Sequence, residues 1–140
     1  MTNEATLVVE TETPINFTCA DDTGIEKGAI LKLSDSMEAE LANGDEDIVA
    51  GIAAQEKIAN SGKTKIAVYR RGIFRMQANS EVSTGEAVAT AASSGEENEV
   101  DTATDTATGG KTLGIALEDI SGGSRGLIEL KPGCNNQAYA

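Results

Sequence analysis

The chain has no histidine and no tryptophan, and only two phenylalanines, two tyrosines, two prolines and two cysteines in 140 residues. Each scarcity removes a class of chemistry. Histidine is the commonest general base, metal ligand and partner of a nucleophilic serine, so triad-type catalysis loses its usual base. A Ser–Lys arrangement of Ser61 with Lys63 or Lys65 has no oxyanion-hole pattern around it. Two cysteines, Cys19 and Cys134, make at most one bridge and no disulfide framework. With aromatics at 3% of residues, the core must be built from Ile, Leu, Val and Ala. These bury little area each, at about 25 cal/mol per Å² of apolar surface, so stability is expected to lean on partners or oligomerisation.

Positive charge is scarce too. Eleven Lys and Arg face 23 Asp and Glu, a net charge of -12. That argues against nucleic acid and against an anionic membrane, because phosphate contacts require basic side chains. No apolar run is long enough to span a bilayer as a helix. Met1-Thr2-Asn3-Glu4 is neither basic nor followed by a long apolar run, so no signal peptide is expected.

What is present is a repeat. Ile48-Val49-Ala50-Gly51-Ile52-Ala53-Ala54-Gln55-Glu56, a turn through Asn60-Ser61-Gly62-Lys63, and Lys65-Ile66-Ala67-Val68-Tyr69 form one copy. Leu113-Gly114-Ile115-Ala116-Leu117-Glu118-Asp119, a turn through Ser121-Gly122-Gly123-Ser124, and Gly126-Leu127-Ile128-Glu129-Leu130 form the other. Each reads as strand, turn and strand, and a repeat of this kind sets the architecture. Gly51 and Gly114 inside apolar runs signal close backbone approach or a bulge.

Residues 1–13 are polar except for Leu7-Val8-Val9, and read as an extended arm with one short strand ended by Pro14. Alternation puts Ile15, Phe17 and Cys19 on one face of a strand, with Cys19 as a small buried hydrophobe. Residues 29–42 read as a hairpin turning at Ser34-Asp35-Ser36, although Met37 and Leu41 also suit a short helix. Ala87–Thr90 and Glu99–Thr102 repeat it. Phe74, Met76 and Ala78 alternate inward, with Arg75 and Gln77 outward. Residues 93–112 offer little beyond Val100 to bury and predict an exposed hairpin and loop. Residues 132–140 read as an extended tail in which Cys134 is a candidate exposed thiol.

The expected fold is therefore all-β, a small barrel or sandwich of two similar halves: an arm over residues 1–13, a barrel over 14–131 and a tail over 132–140. No catalytic residue, metal site or cofactor is expected. Asp45-Glu46-Asp47 and the pair Asp101 and Asp105 lack the spacing of a calcium loop. Gly109-Gly110-Lys111-Thr112 is only the tail of a phosphate-binding loop, with Asp105 where its first glycine belongs. Lys63, Lys65, Arg70, Arg71 and Arg75 form the one basic cluster, read as local charge balance or as a docking patch for an acidic surface.

Taken together, Gly51-Ile52-Ala53-Ala54-Gln55-Glu56, the Ser61-Gly62 turn and Ala67-Val68-Tyr69-Arg70-Arg71-Gly72 resemble the head-decoration, or cement, proteins of tailed phages and archaeal tailed viruses. The strand beginning Glu26-Lys27-Gly28-Ala29-Ile30-Leu31, and its repeat Gly85-Glu86-Ala87-Val88, are similar to that family's opening strand. Gly114-Ile115-Ala116-Leu117-Glu118 resembles the later half of related proteins with a β-tulip barrel. The resemblance implies a non-enzymatic virion protein, assembled in the host cytoplasm. It would bind the major capsid protein on the outer surface of the head, as a homotrimer, and bridge capsid subunits. It also implies an N-terminal arm that adds a strand to the capsid, which places Thr6, Leu7, Val8, Val9 and Glu10 at the contact. The alternative from the residues is an adhesion or carbohydrate-binding barrel, which would need exposed aromatics among Tyr69, Tyr139, Phe17 and Phe74.

Overall fold

The computed structural model describes residues 3–91, 98–104, 107 and 109–134. They form eleven strands: β1 (Thr6–Val9), β2 (Ile15–Thr18), β3 (Ile30–Asp35), β4 (Glu38–Leu41), β5 (Val49–Ala53), β6 (Lys65–Tyr69), β7 (Gly72–Ala78), β8 (Ala87–Thr90), β9 (Glu99–Thr102), β10 (Gly114–Ala116) and β11 (Arg125–Leu130). A single 3₁₀ turn covers Gly109–Lys111.

The two halves each close on themselves. Barrel 1 runs β2-β4-β3-β5-β6 and back to β2. Barrel 2 runs β7-β11-β10-β8-β9, and β9 returns to β7. Strand for strand they are the same unit. One parallel contact seals each barrel, Thr18 opposite Glu38 in the first and Gln77 opposite Glu99 in the second. Closure removes the sheet edges that five short strands would otherwise expose.

Closure depends on close packing at two glycines. A Cβ on Gly51 would fall on the Tyr69 carbonyl oxygen, and one on Gly114 would fall on the carbonyl oxygen of Glu129, the counterpart of Tyr69. Gly51 also has φ 149°, a conformation that side chains resist. Beyond each glycine the same polar device recurs. Gln55 accepts a bond from the Ala67 amide (2.9 Å), and Glu118 accepts one from the Leu127 amide (2.8 Å). The copies diverge at Lys57, which stands where barrel 2 has Ile120. Lys57 is buried, and its ammonium donates to the carbonyls of Asp21 (2.9 Å) and Thr23 (2.6 Å), which offset its desolvation.

Three apolar clusters hold the molecule. Phe17, Cys19, Ile25, Leu31, Ile66 and Val68 fill barrel 1. Phe74, Met76, Val88, Val100, Ile128 and Leu130 fill barrel 2, and the same cluster extends to Ile30, Val49 and Ile52 on the outside of barrel 1. The barrels are thus packed against each other. Tyr69 and Phe74 meet edge to face at the junction, with ring centroids 5.6 Å apart. The third cluster covers the outside of barrel 2, where Ala103, Ala107 and Cys134 pack on Ala87, Ala89 and Ile115.

The alternation in β7 and the hairpin over residues 29–42 are as expected, with the turn at Ser36-Met37. Other expectations change. Of residues 93–112, those at 93–97, 105, 106 and 108 lie outside the described residues. The described ones are mixed: Glu99, Val100, Ala103, Ala107 and Thr112 are buried, while Thr104 and Gly109–Lys111 are exposed. Alanines leave no hydrophobic periodicity to read, yet they pack where a strand face lies close. Cys134 is buried as well, because Gly133 and Cys134 turn back onto the barrel. The Thr112 hydroxyl donates to the Cys134 carbonyl at 2.7 Å. Ile15 is 44% exposed although Phe17 and Cys19 beside it are buried, because β4 reaches β2 only at Thr18.

Alanine at Gly51 or Gly114 is expected to destabilise the fold by about 3 kcal/mol or more, from overpacking against backbone that cannot move aside. Alanine at Gly62 or Gly123, whose added Cβ meets open space, bears only the strain of positive φ (86° and 81°) and is expected to cost about 1–2 kcal/mol. Urea unfolding of the four variants checks this; equal losses would contradict it.

Candidate functional site

The arm is the element that sequence reasoning singled out, and the structure gives it a definite seat. β1 lies antiparallel on β7, with Thr6 opposite Arg75, Leu7 opposite Phe74 and Val9 opposite Ile73, and a bulge at Val8. Its N-terminal end also touches barrel 1, where the Ala5 amide donates to the Gly28 carbonyl at 2.8 Å. Gly28 has no side chain because its Cβ would meet the Ala5 carbonyl. At the other end the Tyr69 hydroxyl donates to the Glu10 carboxylate at 2.9 Å. Burial, and then Glu10, raise the Tyr69 hydroxyl above the ordinary tyrosine range. The arm therefore fastens both barrels.

Arg125 was not visible as part of this site. Its Nη2 donates to the Glu4 carbonyl (2.7 Å), the Thr6 hydroxyl (3.3 Å) and the Arg75 carbonyl (3.0 Å). Nothing marks it in sequence, since it lies 119 residues from Thr6 and opens an ordinary strand.

β1 ends the order of its sheet, so among the described residues its second edge carries no strand. Val8 is 47% exposed and Val9 45%. Of the five residues proposed from sequence, Leu7 is half-buried against the core, while Thr6, Val8, Val9 and Glu10 face outward. One edge of the arm is thus already paired within the chain, and only the other is open.

A carboxyl pair lies at the root of the arm. Glu4 and Glu26 share a proton, which holds Glu4 below and Glu26 above the ordinary value of 4.5.

The other candidates are structural. Asp47 Oδ2 accepts the amides of Asn43 and Gly44, both at 3.0 Å, and Glu46 Oε2 accepts the amide of Thr104 at 2.8 Å. Asp101 accepts from Ser80 (2.5 Å), and Asp105 lies outside the described residues. Among the described residues no three acids or cysteines gather as a metal site. The basic cluster is dispersed. Arg70 is partly buried and donates to the carbonyls of Val49 (3.0 Å) and Ala50 (2.9 Å), bracing β5. Burial, then Arg71, lower its pKa. Arg71 and Arg75 are exposed.

Residues 9–131 match the family model described as phage cement protein. The chain belongs to this family. It is a structural protein of the phage head. The head fibre gp8.5 N base of bacteriophage phi29 has a similar fold, with a TM-score of 0.56 at 16% identity over 87% of this chain and 98% of that one. No curated protein matches the chain.

The carboxyl pair predicts a pH response in the cement protein's arm. The contribution of Glu26 is complete below its ordinary pKa and is lost as pH rises through its raised value. That of Glu4 is present above its ordinary pKa and is lost as pH falls through its lowered one. The arm root is therefore firmest in mild acid and loosens toward neutrality, where two carboxylates repel. Protection factors of the β1 amides, corrected for intrinsic exchange, should rise on mild acidification and become insensitive to pH in Glu26→Gln. Equal pH dependence in both proteins would contradict the pair.

Proposed function

We propose that the protein binds the outer surface of the phage head and stabilises it by bridging subunits of the major capsid protein. The observation that carries this reading is the open edge of β1, with Val8 and Val9 exposed beside it, in a chain of the cement family. Thr6, Leu7, Val8, Val9 and Glu10 form the contact strip. A capsid strand added to the free edge would gain backbone hydrogen bonds, and the valines would supply apolar contact. The other edge is held by β7 and Arg125, so the strip is preorganised and binding orders little additional chain.

The protein acts as a homotrimer at symmetric positions on the head. Several weak contacts then add to avid attachment, provided all three can engage at once. The head fibre base of phage phi29 supports a head-surface position for a chain of this fold. Among the described residues the adhesion alternative has no aromatic platform, because Phe17, Phe74 and Tyr69 are buried; Tyr139 lies outside the described residues.

Expanded heads lacking the protein provide the test. Val8→Asp together with Val9→Asp is expected to reduce head binding by about tenfold or more, in the range of losing one or two interface anchors. The melting temperature should change little, since both side chains already face solvent. Light scattering of the free protein should give three times the 14.4 kDa chain mass. Undiminished binding of the double variant would remove β1 from the contact, and a monomer that still stabilises heads would remove the trimer.

A further inference from the structure

A trimer with one arm per chain already bridges capsid subunits, and the internal repeat locates a further contact surface on each chain. Barrel 2 docks on barrel 1 through the end of its β8–β9 pair. The Asn98 side-chain oxygen accepts the Ile30 amide at 3.0 Å. The Thr90 hydroxyl accepts the Asp47 amide and donates to the Gly44 carbonyl, both at 2.9 Å, and Asp45 bridges to Ala91. The register fixes the counterparts in barrel 1. Leu31 and Val88 both face the repeat glycines, so Leu33 matches Thr90, Ser34 matches Ala91 and Met37 matches Asn98. Met37 and Asn98 share the same unusual backbone, φ 51° and 58°.

The repeat therefore holds two copies of a docking tip and two copies of the face that receives it. The receiving face of barrel 1, at Ile30, Val49 and Ile52, takes barrel 2. That of barrel 2, at Ala87, Ala89 and Ile115, is covered by Ala103, Ala107 and Cys134 of the same chain. The tip of barrel 2 is used. The tip of barrel 1 is open, and its residues have changed: Leu33 stands for Thr90 but is half-buried against the core of barrel 1, and Met37 stands for Asn98 and is exposed. Met37 is 54% exposed, and Ile48, at the same end of the barrel, is 46% exposed. Beside them lies an open cleft of about 350 Å³ with a mixed wall, in which Lys32, Glu40, Glu46, Asp47 and Lys111 are charged and Leu33, Ser34 and Ile48 lie between them. Glu46 and Asp47 line the cleft and also hold the seam between the barrels, so the open tip continues an interface the molecule already uses.

We propose that this tip, centred on Met37 and Ile48, is a second capsid-binding surface that receives an apolar sheet face of a neighbouring major capsid subunit. A second copy of this chain is not the occupant, since among the described residues both equivalent receiving faces are filled from within. The tip is well placed for bridging. The arm touches Gly28, just before β3, and the tip lies at the far end of β3, six residues or about 20 Å away. The inference rests on the capsid-binding reading above.

The test uses Met37→Asn combined with Ile48→Thr. Asparagine is the residue barrel 2 carries at this backbone conformation and tolerates positive φ better than methionine, so folding is preserved. The variant and the wild type are titrated onto expanded heads assembled from the cognate major capsid protein without cement protein. The result expected is at least tenfold weaker occupancy and lost protection of heads against heat, with unchanged melting of the free protein. Wild-type-like binding of the variant overturns the proposal and leaves the arm contact standing. A changed oligomeric state with normal head binding also overturns it, because the tip then holds a second copy. Failure of wild-type protein to bind heads overturns the capsid-binding reading itself, and this proposal with it.

Discussion

The molecule depends on two points where one backbone lies directly against another. At Gly51 and Gly114 a strand crosses its neighbour so closely that a methyl group would occupy the space of a carbonyl oxygen. Five short strands cannot close into a barrel while remaining flat, and a residue without a side chain lets the strand bend inward at the corner. Closure then puts the alternate residues of each strand inside a narrow lumen. Mostly Ile, Leu, Val and Ala fit there, with Phe17 and Cys19 in the first barrel and Phe74 and Met76 in the second, which is why a chain nearly devoid of aromatics still has a filled core.

The same closure leaves the outer faces of β3 and β5, and of β8 and β10, to find cover. The two copies solve this differently. The larger Ile30, Val49 and Ile52 take an entire barrel, whereas the smaller Ala87 and Ala89 take a loop and the chain's last turn. Divergence at positions such as Ile30 and Ala87, Leu33 and Thr90, and Met37 and Asn98 gives the duplicated unit distinct ends. The polar contacts of Thr90 and Asn98 set the register of the two barrels, since a slip would leave the buried hydroxyl and amide without the Asp47, Gly44 and Ile30 backbone groups they pair with.

The repeat, the all-β class and the role of the paired glycines were legible in the sequence because each leaves a local signature: a spacing, an alternation, or glycine in an apolar run. The second closure was not. Nothing local distinguishes one barrel of two halves from two barrels, because the parallel contacts at Thr18 and Gln77 join segments far apart in the chain. Alanine hid the burial of Ala103 and Ala107, and Pro-Gly after Leu130 imitated a tail where a turn buries Cys134. The arm was legible as a β-prone segment between polar residues. Its anchor was not, because the Arg125 fork makes its three bonds across the fold.

Pairing of β1 with β7 has a mechanical consequence. All of barrel 1, residues 15–69, lies inside the chain loop that this pairing closes. Tension on the arm passes chiefly through its ladder with β7 into barrel 2, and barrel 1 shares it at two points, the Ala5–Gly28 and Tyr69–Glu10 bonds. The second barrel bears the larger part along its longest strand. If the arm holds the capsid as proposed above, a head under internal pressure strains chiefly the half of the molecule whose outer face is already closed.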